Sequence, residues 1–220
     1  VHQGLAELGA YGICVPEELG GAGLDYVTLA VVLEEIAAGD GGTSTAISVT
    51  NCPVNAILMA YGTAAQKKQW LTPLAQGKML GGFALTEPHV GSDASALRTT
   101  AVRDGEHWVL NGTKHFISHA DVAGFTIAFM ATGEEDTPRG PKKKITAFFV
   151  DKGTPGFNVL RKIPMIDGTS TYEIALDDCR VPGWKLLGTR GQGFAPMQVR
   201  LGTRRIEMAS WSIGMAQRAL

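Results

Sequence analysis

The sequence has little of what several protein classes depend on. Its 220 residues hold three cysteines (Cys14, Cys52 and Cys179), scattered and without a C-x-x-C pair. A disulfide framework or a structural zinc site needs thiols that are closer or more numerous, so these three read as small core residues of a reducing compartment. The five histidines (His2, His89, His107, His115 and His119) show no ligand spacing, and no metal site is expected. No apolar run reaches the ~18 residues of a membrane span. An excess of one charge is missing too. Twenty basic and 21 acidic residues leave a net charge of −1, without the basic field that would hold nucleic acid. A G-x-S-x-G elbow, a P-loop and a G-x-G-x-x-G turn after a strand are all absent.

Glycine, by contrast, is abundant: 28 residues, nearly twice the usual ~7% share, which points to tight turns and close backbone approaches. Apolar residues make up 45% and charged residues 19%, the composition of an ordinary globular chain.

The first part reads as helical. Asp25 is placed to cap a helix whose apolar face is Leu29, Val32, Leu33 and Ile36. A second apolar helix spans Thr43 to Ala60, interrupted near Pro53. Thr63 and Gln66 fit a capping box at the start of a short helix ending near Ala75. From Met79 the apolar period shortens towards two. Asp104-Gly105 and Asn111-Gly112 each suit a two-residue hairpin turn between strand-like runs. The polar stretch Glu134–Lys144, with its three consecutive lysines, reads as a solvated hairpin tip and not as a phosphate site, and Gly188–Gly193 as a hinge into the helix that follows. From Phe194 the helical period returns and continues to Leu220. The expected fold is α+β: a helical domain (1–79), a middle antiparallel β domain (80–190) and the first helix of a C-terminal helical bundle (191–220).

Two segments could carry chemistry. In Phe83–Asp93 a short strand runs into a loop rich in hydroxyls and carboxylates, which could offer amides and donors to a polar ligand edge. An ordinary turn, with Ser92 or Asp93 capping something local, explains it as well. In Gly112–His119, strand alternation sets Phe116 and Ser118 on one face. That face could stack on a planar heterocycle, or Phe116 could simply point into the core.

At these residues the chain resembles the acyl-CoA dehydrogenase family. The likeness runs through Leu85-Thr86-Glu87-Pro88-x-x-Gly91-Ser92-Asp93, then Leu110-Asn111-Gly112-Thr113-Lys114-x-Phe116-Ile117-Ser118. It continues in Asp178-x-x-Val181-Pro182, Gly191-x-Gly193-Phe194 and Arg205 to Leu220. The resemblance implies FAD as cofactor and α,β-dehydrogenation of an acyl-CoA thioester in fatty acid metabolism. A carboxylate base removes the α-proton while hydride passes to flavin N5. It further implies an electron-transfer flavoprotein as partner, a homo-oligomer (dimer or tetramer), and a cytoplasmic location, or the mitochondrial matrix in a eukaryote.

Carried over by position, Phe83, Leu85, Thr86, Ser92, Phe116, Ile117 and Ser118 would bind the flavin. Ser92, Thr132 and Arg205 would contact substrate. Phe116 stands where the family usually has Trp, Ser118 where Thr is usual, and Gly202 where an acidic residue is common. In most of the family the catalytic Glu lies downstream of the position of Leu220; in a minority its place corresponds to Arg204. Glu207, one helical turn on, is a candidate displaced base or a solvated or paired helix carboxylate. Two other readings stay open: an oxidase or monooxygenase on the same scaffold, and a truncated, non-catalytic binding module.

Overall fold

A computed structural model describes residues 1–138 and 140–220. The chain forms two compact units. One comprises Val1–Leu80, Ile166–Thr169 and Pro196–Leu220; the other comprises Gly81–Met165 and Ser170–Ala195.

The first unit is helical: α1 (His2–Glu7), α2 (Tyr26–Gly39), α3 (Gly41–Val49), α4 (Ala56–Tyr61), α5 (Ala64–Gln66), α6 (Thr72–Ala75) and α7 (Phe194–Ala219), whose first two residues belong to the other unit. Asp25 caps α2 by accepting from Thr28 N at 2.8 Å, an arrangement worth about 1 kcal/mol. Asp40 likewise caps α3, so the glycines after α2 open a new helix where the sequence suggested only an ending. Pro53 does not interrupt the chain's helical path. A π-helical segment, Thr50–Asn55, joins α3 to α4, and its wider turn accommodates a residue that has no N–H to give. Two buried amides of that segment fasten the irregular chain near the start. Asn51 accepts from Ile13 N (3.1 Å) and donates to Ala10 O (2.8 Å), while Asn55 donates to Tyr11 O (2.8 Å). Buried loop backbone needs such partners. The capping box at Thr63 and Gln66 is present with both of its hydrogen bonds.

α7 lies on α2 and α3 through small residues. A Cβ on Gly214 would sit 2.1 Å from Glu34 O, so only glycine permits this approach. Trp211 Nε1 donates to Gly41 O at 2.9 Å.

The second unit is one eight-stranded sheet: β1 (Gly81–Ala84), β2 (Thr100–Asp104), β3 (His107–Ser118), β4 (Phe125–Thr137), β5 (Gly140–Asp151), β6 (Phe157–Pro164), β7 (Ser170–Pro182) and β8 (Leu186–Leu187). The order is β6-β7-β3-β2-β4-β5-β8, with β1 beside β4. Pairing is antiparallel except that β1 runs parallel to β4 and Thr100 meets Ala131 in parallel. β4 and β5 are buried on both faces over Phe125–Met130 and Ile145–Val150, which is why these stretches are apolar without alternation. The β2–β3 hairpin turns at Gly105 and Glu106, between the paired residues Asp104 and His107. Asn111-Gly112 is not a turn. β3 runs straight through it, and Gly112, at φ +130°, takes up a register shift against β7. The segment read as a hinge is held on β5, with Gly191 N donating to Thr146 Oγ1 (2.9 Å) and Gly193 N to Ile145 O (2.7 Å).

Candidate functional site

The loop after β1 is fastened from beneath by a buried ion pair. Strand alternation in β3 turns Trp108, Leu110 and Lys114 inward. Lys114 is fully buried and donates to Glu87 Oε1 (3.0 Å) and Leu85 O (3.1 Å). Glu87 also accepts from Arg98 N (2.7 Å), Thr99 N (3.0 Å) and Thr99 Oγ1 (2.7 Å). Burial alone would raise the Glu87 carboxyl, but Lys114 and these donors hold it below the usual range. Burial pulls Lys114 down to about 8, with Glu87 opposing, so the amine stays charged at neutral pH. One further bond, His115 N to Thr86 O (2.8 Å), ties the loop to β3.

Beyond Lys114 the strand changes sides. A register shift between Lys114 and Ile117 sends Ile117 into the core and leaves Phe116 outside, 54% exposed. Phe116 has φ +58° and His119 φ +61°, left-handed values that cost a non-glycine residue about 1 kcal/mol or more. An aromatic ring held outward on such backbone is the surface a planar ligand needs. Ser118, half-buried, follows on that side, and Leu85 and Thr86 are half-buried at the end of β1.

The remaining residues singled out in the sequence are placed as follows. Phe83 is buried and stacks on Phe129 with ring centroids 4.9 Å apart. Ile117 is likewise a core side chain. Ser92 is exposed. Thr132 is buried, its hydroxyl 3.1 Å from Lys144 O and 2.7 Å from Thr146 Oγ1. Arg205 is exposed on α7 in the helical unit. Glu207, on the same helix, is buried at 2% exposure. Its Oε2 accepts from Ser48 Oγ (2.9 Å) and lies 3.5 Å from Arg204 Nη1, which also bonds Ser48 Oγ. Burial pushes Glu207 up to about 7, against the pull of Arg204, Ser48, Cys52 and Arg200.

Sequence reasoning missed the Lys114–Glu87 pair. The signal was present: a lysine at a position whose parity matches Trp108 and Leu110 must be buried, and a buried lysine requires a carboxylate.

Comparison with known proteins accounts for both units. Residues 1–78 match the model of the acyl-CoA dehydrogenase N-terminal domain, and residues 82–179 that of the acyl-CoA dehydrogenase middle domain. The chain belongs to the acyl-CoA dehydrogenase family. It is 41% identical over 218 residues to the mitochondrial short-chain specific acyl-CoA dehydrogenase of Rattus norvegicus, an alignment covering 98% of this chain and 52% of that protein. The butyryl-CoA dehydrogenase structure from Megasphaera elsdenii superposes with TM-score 0.91 at 34% identity, over 99% of this chain and 57% of that one. An acyl-CoA dehydrogenase complexed with FAD, from Bacillus anthracis, does so with TM-score 0.89 at 32% identity, over 99% of this chain and 36% of that one. The chain therefore spans about half the length of the curated relatives it matches. Among the described residues no helix is long and apolar enough to cross a membrane.

Proposed function

We propose that this chain carries the flavin cradle of an FAD-dependent enzyme that dehydrogenates an acyl-CoA thioester between its α and β carbons. The observation behind the reading is the loop Leu85–Glu87 joined to Lys114–His115 by three hydrogen bonds, with Phe116 exposed beside it. Leu85, Thr86, Phe116 and Ser118 supply an apolar edge, hydroxyls and an aromatic face, which suits a flavin ring. Phe83 and Ile117 support that surface from the core. Ser92 adds an exposed hydroxyl for the flavin or the CoA end. FAD, when bound, supplies the acceptor for the β-hydride at N5.

The protein's own groups have other tasks. In the helical unit, Arg205 offers an exposed guanidinium to the substrate's polar end; in the β unit, Thr132 braces β4 on β5 through Lys144 O and Thr146 Oγ1. Glu207 is spoken for by Ser48 and Arg204, so the α-proton is assigned to a carboxylate beyond residue 220. The whole enzyme passes its electrons to an electron-transfer flavoprotein and works as a homo-oligomer in the cytoplasm or mitochondrial matrix.

The visible absorption spectrum of the purified chain tests the cradle. A bound-flavin band that is lost in Thr86→Ala or Phe116→Ala is the expected result. A folded, colourless chain that takes up no added FAD would sink the reading for these 220 residues.

A further inference from the structure

Phe116 owes its outward ring to a bulge, and a single residue stands opposite that bulge. Lys114 pairs with Ile174 and Ile117 with Tyr172, so His115 and Phe116 on β3 face Glu173 alone on β7. Tyr172 and Ile174 are core side chains, which sends the Glu173 carboxylate to the outer face by strand alternation. There it stands between two basic groups. His115 Nδ1 lies 3.1 Å from Glu173 Oε2, and Arg161 Nη2, from the neighbouring strand β6, donates to the same oxygen at 3.0 Å. The side chains of His115 and Glu173 are 13% and 22% exposed, that of Arg161 64%, so water and salt screen the His115 contact least.

The imidazole has a second neighbour. It meets the Phe116 ring edge-on, with centroids 4.0 Å apart and planes at 71°. The backbone beside them is fastened, because His115 N donates to Thr86 O (2.8 Å). What can respond is the His115 side chain, and its charge decides how firmly it is held. Buried Nδ1 makes no well-directed hydrogen bond, so a neutral ring gains little from Glu173. A proton on the ring turns the 3.1 Å contact into an ion pair and adds cation–π attraction to Phe116. Arg161 competes for the same carboxylate, while Lys114 and Glu87, on the inward side of β3, are already paired with each other. Histidine is the side chain whose ordinary charge change falls between pH 5 and 8.

We propose that His115 is a positioning residue for Phe116. Charged and held by Glu173, it clamps the aromatic ring in its outward position; on losing its proton, it lets the ring move. The consequence for the flavin, tighter uptake at lower pH, rests on the function proposed above; the contact between the two rings does not.

The emission of the indole introduced by Phe116→Trp tests the contact, because a protonated imidazole quenches an indole that it touches. The parent has four tryptophans, so the signal is read as the difference between variant and parent. About a twofold rise is expected from pH 5.5 to pH 8, lost when His115→Gln is added. Glu173→Gln should move the transition to lower pH and Arg161→Gln to higher pH, since one removes the anion that favours the charge and the other removes its competitor. No transition, or one that survives His115→Gln and so belongs to another group such as His119, overturns the proposal. FAD uptake by the chain with Phe116 in place, read from the visible spectrum at pH 6 and pH 8, separates the contact from the cradle. Uptake about threefold tighter at pH 6, a difference abolished by His115→Gln, supports both. Uptake with the same pH dependence in parent and His115→Gln overturns the positioning role. A parent that takes up no FAD at either pH, with the emission transition present, supports the contact and counts against the flavin reading.

Discussion

Lys114 sets its ammonium 3.0 Å from the Glu87 carboxylate beneath the loop that follows β1, and neither side chain reaches solvent. Removing one partner of such a pair strands the other, which costs about 3–5 kcal/mol. Lys114→Met should therefore destabilise the β unit by about that much in urea unfolding followed by the fluorescence of Trp108. Lys114→Arg should recover part of the loss by keeping the charge. A Lys114→Met variant within about 1 kcal/mol of the parent would show that the pair is not what fastens the loop.

Phe116 separates backbone strain from binding. Its φ of +58° is unfavourable for Phe but free for glycine. Phe116→Gly should thus be at least as stable as Phe116→Ala, by about 1 kcal/mol, in thermal melts. Both should weaken FAD uptake, read from the visible spectrum, by tenfold or more. Phe116→Trp, which preserves an aromatic face, should stay close to the parent. Equal FAD affinity in all three variants would remove Phe116 from the cradle.

Much of this architecture was legible in the residue pattern because burial writes itself as periodicity. Asp25 with Leu29 and Leu33 marked α2, and the buried runs of β4 and β5 marked the centre of the sheet. What escaped were places where two rules compete. Asn111-Gly112 satisfies turn chemistry, yet the ladder from β3 to β7 continues past it and wins. Pro53 should end a helix, but a π-helical segment absorbs it. At the candidate site, Phe116 and Ser118 were visible by alternation, and the exposed ring answers whether Phe116 points inward. The bulge that turns Ile117 inward leaves no signal in spacing, because it depends on how β7 pairs with β3.

Gly214 and Gly202 lie on one helix and should respond oppositely to alanine. A methyl at Gly214 would meet Glu34 O at 2.1 Å, so Gly214→Ala must push α7 away from α2. The expected loss is roughly 1–3 kcal/mol. At Gly202 a methyl meets nothing within 4 Å, and replacing a mid-helix glycine there should stabilise by about 0.5–1 kcal/mol. Thermal melts of the two variants decide the matter, and a gain at Gly214 would mean that α7 does not seat on α2 as described.

Glu207 should make the helical unit less stable as pH rises. Burial raises its carboxyl to about 7, above the ~4.3 of a free Glu in the unfolded chain. The folded form thus holds a proton that the unfolded form has released. Its contribution is complete below about pH 4 and declines as pH climbs through 7. Over that interval the loss amounts to about 3 kcal/mol. Arg204, Arg200, Ser48 and Cys52 face the carboxylate and limit the shift without cancelling it. Glu207→Gln keeps the shape and removes the ionisation, so its stability should vary less between pH 5 and 8. It should exceed the parent at pH 8 and match it near pH 5. Parallel pH profiles for parent and variant in urea unfolding would show that Glu207 is ionised at neutral pH, with Arg204 compensating its burial in full.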